Sequence, residues 1–389
     1  MEDTLLGIRQ KPALQQPHWD RQDQLTQVRR ELATRPPLVG AAEVRALRAA
    51  LAEVALGRAQ LVQAGDCAED PEESTARDVH RKAALLDLLA GTMRMAAHRP
   101  VVRVGRLAGQ FAKPRSRATE TVDGVELPVY RGHMVNGPEA DPAARRPDPL
   151  RMLTGYMAAN EIMGHLGWQR PAEAVPEAPV WTSHEALLLD YELPQLRPCD
   201  DGGLLLASTH FPWIGERTRQ VDGAHVALLS EVVNPVACKV GPAMTAEELL
   251  ALCEVLDQDR EPGRLTLIAR MGADTVADRL PQLVKAVLHA GHPVIWVSDP
   301  MHGNTVSAPC GRKTRLVRTV VQEVRAFQRA VESTGGVAGG LHLEATPDEV
   351  TECVADPAGV DRVGEAYTSL CDPRLNPSQA VSVVAAWQN

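Results

Sequence analysis

Aromatic side chains are scarce in this chain, making up only 3% of its 389 residues. The 44% apolar content is otherwise ordinary, so Leu, Val and Ala must supply most of the core. No uninterrupted apolar run approaches the ~20 residues that a membrane helix requires, which argues against a membrane partner. The N-terminal stretch MEDTLLGIRQ is acidic and lacks the basic-then-apolar order of a signal peptide. The seven cysteines show no zinc-finger spacing, which fits a reducing compartment and individual roles. A soluble, cytoplasmic protein is the expectation. An excess of positive charge is also missing: the formal charge of −9 argues against general nucleic-acid binding, although a local basic pocket remains compatible with it. Low-complexity tracts and sequence repeats are lacking as well.

What is present is an alternation. Residues 1–57 read as a mostly helical extension, with apolar residues at helical spacing over Val44–Leu56. From there to residue 389, short apolar runs alternate with longer amphipathic ones. Eight candidate strands stand out: Gln60–Gly65, Val101–Arg106, Pro179–Ser183, Leu204–Thr209, Val236–Val240, Leu265–Arg270, Pro293–Ser298 and Gly340–Glu344. Helical patterns are clearest over Ala76–Ala97, Pro149–Leu166, Ala246–Leu256, Val276–Ala290 and Thr314–Ser333. Eight β-then-α units predict an α/β fold of the (β/α)8 TIM-barrel type, with a doubly wound sheet as the alternative. The Pro-rich stretch Gln169–Pro179 reads as a short surface connection.

A barrel places its active site at the carboxyl ends of the strands. Polar residues collect there: Asp66 and Cys67 after the first strand, Arg106 and Lys113 at the second, His184 and Glu185 at the third. His210 to Arg219, including Trp213, Glu216 and Arg217, follow the fourth; Lys239 and Arg270 close the fifth and sixth. Asp299 and His302 follow the seventh, and Glu344 ends the eighth. Arg106, Lys113, Arg115, Arg217, Lys239, Arg270 and Lys313 are more cations than one phosphate needs, so two anionic groups are expected. Cys67, His302, Glu344 and Asp372 form a donor set of mixed softness that suits Mn²⁺, Fe²⁺, Co²⁺ or Zn²⁺ better than Mg²⁺ alone. Phosphate clamps beside a Lewis acid point to carbon–carbon bond chemistry between small phosphorylated molecules.

These stretches are also recognisable as motifs. GDCAED (65–70), GRLAGQFAKPRS (105–116), YRGHMVNG (130–137), TSHEALLLDYE (182–192) and WIGERTRQVDGAH (213–225) resemble the class II, plant-type family of 3-deoxy-D-arabino-heptulosonate 7-phosphate (DAHP) synthases. So do NPVACKVGP (234–242), RLTLIARMG (264–272), SDPMHGNT (298–305), GLHLE (340–344) and CDPRLNP (371–377). The resemblance runs in order from Gly65 to Pro377, and the shortness of the chain is most similar to the phenazine-cluster type.

The resemblance implies condensation of phosphoenolpyruvate with erythrose 4-phosphate at the entry to the shikimate pathway, feeding secondary metabolism. It implies a divalent ion, Mn²⁺ or Co²⁺ first and Zn²⁺ or Fe²⁺ as alternatives, held by Cys67, His302, Glu344 and Asp372. Phosphoenolpyruvate would be bound by Arg217, Lys239 and Arg270, with Arg106 close by and Glu216 contributing backbone. Lys113, Arg115, Ser116 and Lys313 would bind the aldose phosphate, with Trp213 in the same site. Lys239, Glu185, Glu344 and His302 are the candidates for chemical steps. Cys371 adjoins Asp372 and would come near Cys67 as an oxidation-sensitive pair. The sequence departs from the family at His133, where the motif carries Asp. Feedback-regulated members carry extra helices before the third strand; Gly167 to Pro179 leaves no room for them, so insensitivity to aromatic amino acids is expected. A homo-oligomer, dimer or tetramer, is implied. The alternatives are a metal-dependent aldolase on another phosphosugar and a catalytically silent regulatory barrel.

Overall fold

The computed structural model describes residues 2–122, 124–169 and 175–388. Eight parallel strands close into a barrel: β1 (Gln60–Gly65), β2 (Val101–Arg106), β3 (Trp181–Glu185), β4 (Phe211–Ile214), β5 (Val236–Val240), β6 (Leu265–Ala269), β7 (Ile295–Ser298) and β8 (Ala338–Glu344). Their spatial order follows the chain, and β8 returns to pair with β1. Strands such as β5 and β6 are buried along their whole length, as parallel strands covered on both faces must be.

Three helices precede the barrel: α1 (Glu2–Arg9), α2 (Gln22–Thr34) and α3 (Ala41–Ala55). A helix then follows each strand: α4 (Ala76–Ala97), α5 (Arg151–His165), the single turn α6 (Leu189–Glu192), α7 (Ala224–Ser230), α8 (Ala246–Leu256), α9 (Val276–His289), α10 (Val317–Glu332) and α11 (Pro377–Val384). Local chemistry starts several of them. Thr75 caps α4 by accepting from the Asp78 N–H, Thr245 and Glu248 form a capping box on α8, and Asn376 with Pro377 opens α11.

The outward-facing side chains of the strands pack against these helices. Inside, Leu61, Phe211, Trp213, Ala237, Ile268 and Val297 share a second apolar cluster with Val44, Leu47, Leu51 and Val54 of α3. Each such burial is worth roughly 1.5–3 kcal/mol, so α3 is an integral part of the core.

The fourth strand differs from expectation. Leu204–Leu206 lies outside the barrel and forms an antiparallel ribbon with Leu196–Pro198. The barrel strand is Phe211–Ile214, whose Pro212 argues locally against a central strand. His210 consequently sits at the start of β4, away from the strand's carboxyl end. It is buried between Trp168 and Trp181, with Nε2 3.4 Å from Glu43. The Gln169–Pro179 connection lies partly outside the described residues. No described helix is long and apolar enough to cross a membrane.

Candidate active site

The carboxyl ends of the strands surround a cavity of about 710 Å³. Strand register decides what enters it. Gly65 at the end of β1 pairs with Arg106 of β2 on one side and Glu344 of β8 on the other. With φ at 152°, a side chain at Gly65 would put its Cβ 2.7 Å from the Arg106 carbonyl. At the end of β4, a Cβ on Gly215 would lie 2.0 Å from Glu185 Oε1, so glycine there admits the carboxylate.

Cys67, Glu344 and Asp372 each turn a donor atom to one point, all within 4.8 Å of one another. His302 borders this group, its Nε2 3.2 Å from Glu344 Oε1. The Asp372 N–H donates to the Cys67 sulfur at 3.2 Å. Lys113 Nζ touches the same sulfur and lies 2.5 Å from Asp372 Oδ2, while Lys313 Nζ lies 2.8 Å from Oδ1. Burial opposes charge on Asp372, but Lys113 and Arg315 outweigh it and hold the carboxyl well below its usual range. Burial also opposes the charge on Glu344, where His302, Arg315 and Lys113 prevail. Burial pushes the Cys67 thiol up, and its contact with Cys371 adds to this; the same contact pushes Cys371 down to about 7. One sulfur, two carboxylates and a nearby imidazole, gathered around ammonium groups, fit a borderline divalent cation.

The remaining cations line the cavity beside this group. Arg106 is 3% exposed. It donates through Nε to the Asp66 carbonyl at 2.9 Å and through Nη2 to Glu344 Oε1 at 3.2 Å, and it lies 5.3 Å from the Trp213 ring centre. Its Nη1 meets His342 Nε2 at 2.6 Å; His342 Nδ1 meets Gln63 Oε1 at 2.7 Å; and Gln63 Nε2 donates to Ser183 Oγ at 2.9 Å. Both contacts are satisfied by the tautomer with its proton on Nδ1. Burial, then Lys239 and Arg106, keeps His342 neutral, as an acceptor for Arg106 requires. Lys239 Nζ donates to Asp299 Oδ2 at 2.5 Å; burial, helped by Arg106 and Arg270 and opposed by Asp299, brings it down to about 8. Arg270 donates to the His302 carbonyl at 3.4 Å, and Arg217 to Ser116 Oγ at 2.7 Å. Glu216 pairs with Arg219 at 2.9 Å.

Glu185 ends β3, with its N–H donating to Gln110 Oε1. Burial raises its carboxyl pKa against the pull of Lys239, Lys113 and Arg106. Its buried Oε1 has no hydrogen-bond partner among the described residues, so it is available to a ligand in the cavity.

The residues named from the sequence for metal, substrate or chemistry all lie on this cavity wall, including Arg115, Ser116, Trp213 and Lys313; of the other polar residues at strand ends, His184, His210 and Asp299 do not line it. Nor does His133. It lies beside Tyr130 with Nε2 3.8 Å from Asp70. Asp66 also points away, into ion pairs with Lys82 and Arg374. Sequence reasoning missed Gln110, Gln63, His342 and Arg315 as supports. Arg315 is fully buried and donates to Glu344 Oε2 at 2.8 Å. Its position two residues after Lys313 was the available signal.

Known proteins resemble this chain over nearly its whole length. The profile of the class-II DAHP synthetase family matches residues 4–169 and 159–386. A Pseudomonas fluorescens protein named probable phospho-2-dehydro-3-deoxyheptonate aldolase is 60% identical over 390 residues, spanning 100% of this chain and 98% of its own. A Streptomyces coelicolor phospho-2-dehydro-3-deoxyheptonate aldolase is 42% identical, covering 96% of this chain and 94% of its own. In Mycolicibacterium smegmatis, a relative named phospho-2-dehydro-3-deoxyheptonate aldolase AroG is 40% identical, with 96% and 91% covered. With the profile matching nearly all of the sequence, this chain belongs to the class-II DAHP synthetase family.

Proposed function

We propose that this protein condenses phosphoenolpyruvate and water with erythrose 4-phosphate, releasing phosphate and DAHP. The observation that carries the reading is one cavity lined by two groups of cations, with clustered metal donors and a buried carboxylate between them. In the net change a bond forms between C3 of the enol and the aldehyde carbon, water adds at C2, and the C2–O bond to phosphate breaks. A bound divalent ion, Mn²⁺ or Co²⁺ in this reading, would supply Lewis acidity to the aldehyde oxygen. Cys67, His302, Glu344 and Asp372 would hold it.

The protein's own groups do the rest. Arg106, Lys239, Arg270 and Arg217 bind the phosphate and carboxylate of phosphoenolpyruvate, with Glu216 backbone beside them. They also stabilise the phosphate as it leaves. Lys113, Arg115, Ser116 and Lys313 take the aldose phosphate. Glu185, with its raised pKa and its unengaged oxygen, holds or accepts a proton beside the reacting carbons. Trp213 forms an apolar wall against Arg106. Holding both substrates in one cavity supplies several kcal/mol of a two-substrate barrier.

The reading extends to a cytoplasmic homo-oligomer that feeds secondary metabolism and is insensitive to aromatic amino acids. The short Gly167–Pro179 interval supports that last feature. The direct test is incubation of purified protein with both substrates and Mn²⁺, following loss of enol absorbance and release of phosphate. Absence of both, with metal bound, would reject the reading.

A further inference from the structure

Between α1 and α2 the chain runs as a strap of residues 10–21 along the loops after β2, β3 and β4. It touches three of the loops that carry the site. The Pro12 carbonyl accepts from the Ala224 N–H at 2.9 Å, at the start of α7. The Gln16 side chain donates to the Leu187 carbonyl at 2.8 Å and accepts from the Leu189 N–H at 3.0 Å, just after β3. Trp19 Nε1 donates to Asp190 at 2.7 Å in the same loop.

Between these anchors sits Gln15. Its φ of 64° is a conformation that non-glycine residues adopt rarely and only when their surroundings impose it. That turn aims Gln15 at the loop after β2. Its Oε1 accepts from the Arg115 N–H at 2.9 Å, and its carbonyl accepts from Arg131 Nη1 at 3.2 Å. The Arg131 carbonyl in turn accepts from the Lys113 N–H at 2.8 Å. The backbone from Lys113 to Ser116 therefore hangs from Gln15 by one direct bond and one relay. Gln15 itself does not line the cavity.

We infer that the N-terminal strap is a positioning element of the active site, and that Gln15 sets the loop Lys113–Ser116 for the aldose phosphate. This rests on the functional reading above for the identity of that phosphate, while the contact itself stands on geometry. On the phosphoenolpyruvate side, Lys239 of β5, Arg270 after β6 and Arg106 of β2 stand apart from this loop, and Arg217 meets it only through the Ser116 side chain at 2.7 Å, so the effect of Gln15 falls mainly on one substrate.

The test compares wild-type protein, Gln15→Ala and Gln15→Glu, the last of which keeps an acceptor oxygen. In Gln15→Ala the KM for erythrose 4-phosphate should rise about fivefold, the ratio that one net hydrogen bond is worth, with KM for phosphoenolpyruvate within about twofold. Amide exchange of the 113–118 segment should quicken by a similar factor while the melting temperature holds. Gln15→Glu should restore both. Unchanged exchange, or an equal rise in the two KM values, overturns the inference. If wild-type protein forms no product from the two substrates, the functional reading fails, and the exchange measurement still decides whether Gln15 orders the loop.

Discussion

Asp299→Asn removes one charge from the centre of the site with little change of shape. The amide keeps an oxygen for the Met301 and His302 N–H donors, which lie 3.1 and 3.3 Å from Asp299 Oδ1. What disappears is the negative charge 2.5 Å from Lys239 Nζ, together with the oxygen that accepts from it, since the amide nitrogen takes that place. Unit charges at that separation attract by about 1.7 kcal/mol in water and by ~7 kcal/mol at an effective dielectric of 20. The smaller figure alone lowers the Lys239 pKa by about 1.2 units. Lys239 already stands at about 8, with burial, Arg106 and Arg270 against its charge and Asp299 for it. An ammonium is charged below its pKa, so at pH 7.5 the charged fraction falls from about three quarters to under about one fifth. If Lys239 grips the phosphate as an ammonium, kcat/KM for phosphoenolpyruvate at pH 7.5 drops at least about fivefold, and KM for the aldose moves less. In the unaltered protein the same parameter declines as pH rises through about 8. His302 also leans on Asp299, through Nδ1 at 2.8 Å, so bound Mn²⁺ is measured in the same samples to separate metal loss from charge loss. A variant matching the wild-type pH profile between pH 6 and 9 would refute the argument.

Cys67→Ser and His302→Ala should each abolish activity through loss of metal while the far-ultraviolet circular dichroism stays native, because a hydroxyl or methyl replaces a donor; full metal occupancy in either variant would remove it from the ligand set. One equivalent of peroxide should convert Cys67 and Cys371 to a disulfide with release of two waters. Two of the seven free thiols would then be lost together with activity, and full activity in the oxidised protein contradicts this. Trp, Phe and Tyr at millimolar levels, singly or mixed, should leave the initial rate at saturating substrates above half its control value, and a larger fall would reveal an effector site.

Much of the architecture was legible because parallel strands buried on both faces read as apolar runs, as Val236–Val240 and Leu265–Ala269 do. Helices α4 and α8 were readable to the residue, since their caps lie in the sequence next to a periodic pattern. The fourth strand was misread because a leucine run that satisfies itself in an external ribbon looks more strand-like than Phe-Pro-Trp-Ile. The cavity-facing cations and donors were legible as motifs, since each is short and local. Their supports were not. Gln63 acts on Arg106 only through His342, 279 positions away, and no local pattern encodes a relay across the barrel. The same holds for the hold of Gln15 on Arg115, a residue 100 positions along the chain.

The meeting of Cys67 with Asp372 also bears on how the molecule is made. Their contact spans 305 positions. At a synthesis rate of ~5–20 residues per second, the Cys67 sulfur waits about 15 to 60 s on the ribosome before its carboxylate partner is polymerised. Glu344 arrives late as well, so a nascent chain has no assembled donor set with which to capture stray ions. The donor set comes together only when β8 has closed against β1 and the segment after β8 has brought Asp372 to Cys67, so any cation held there would enter a completed barrel.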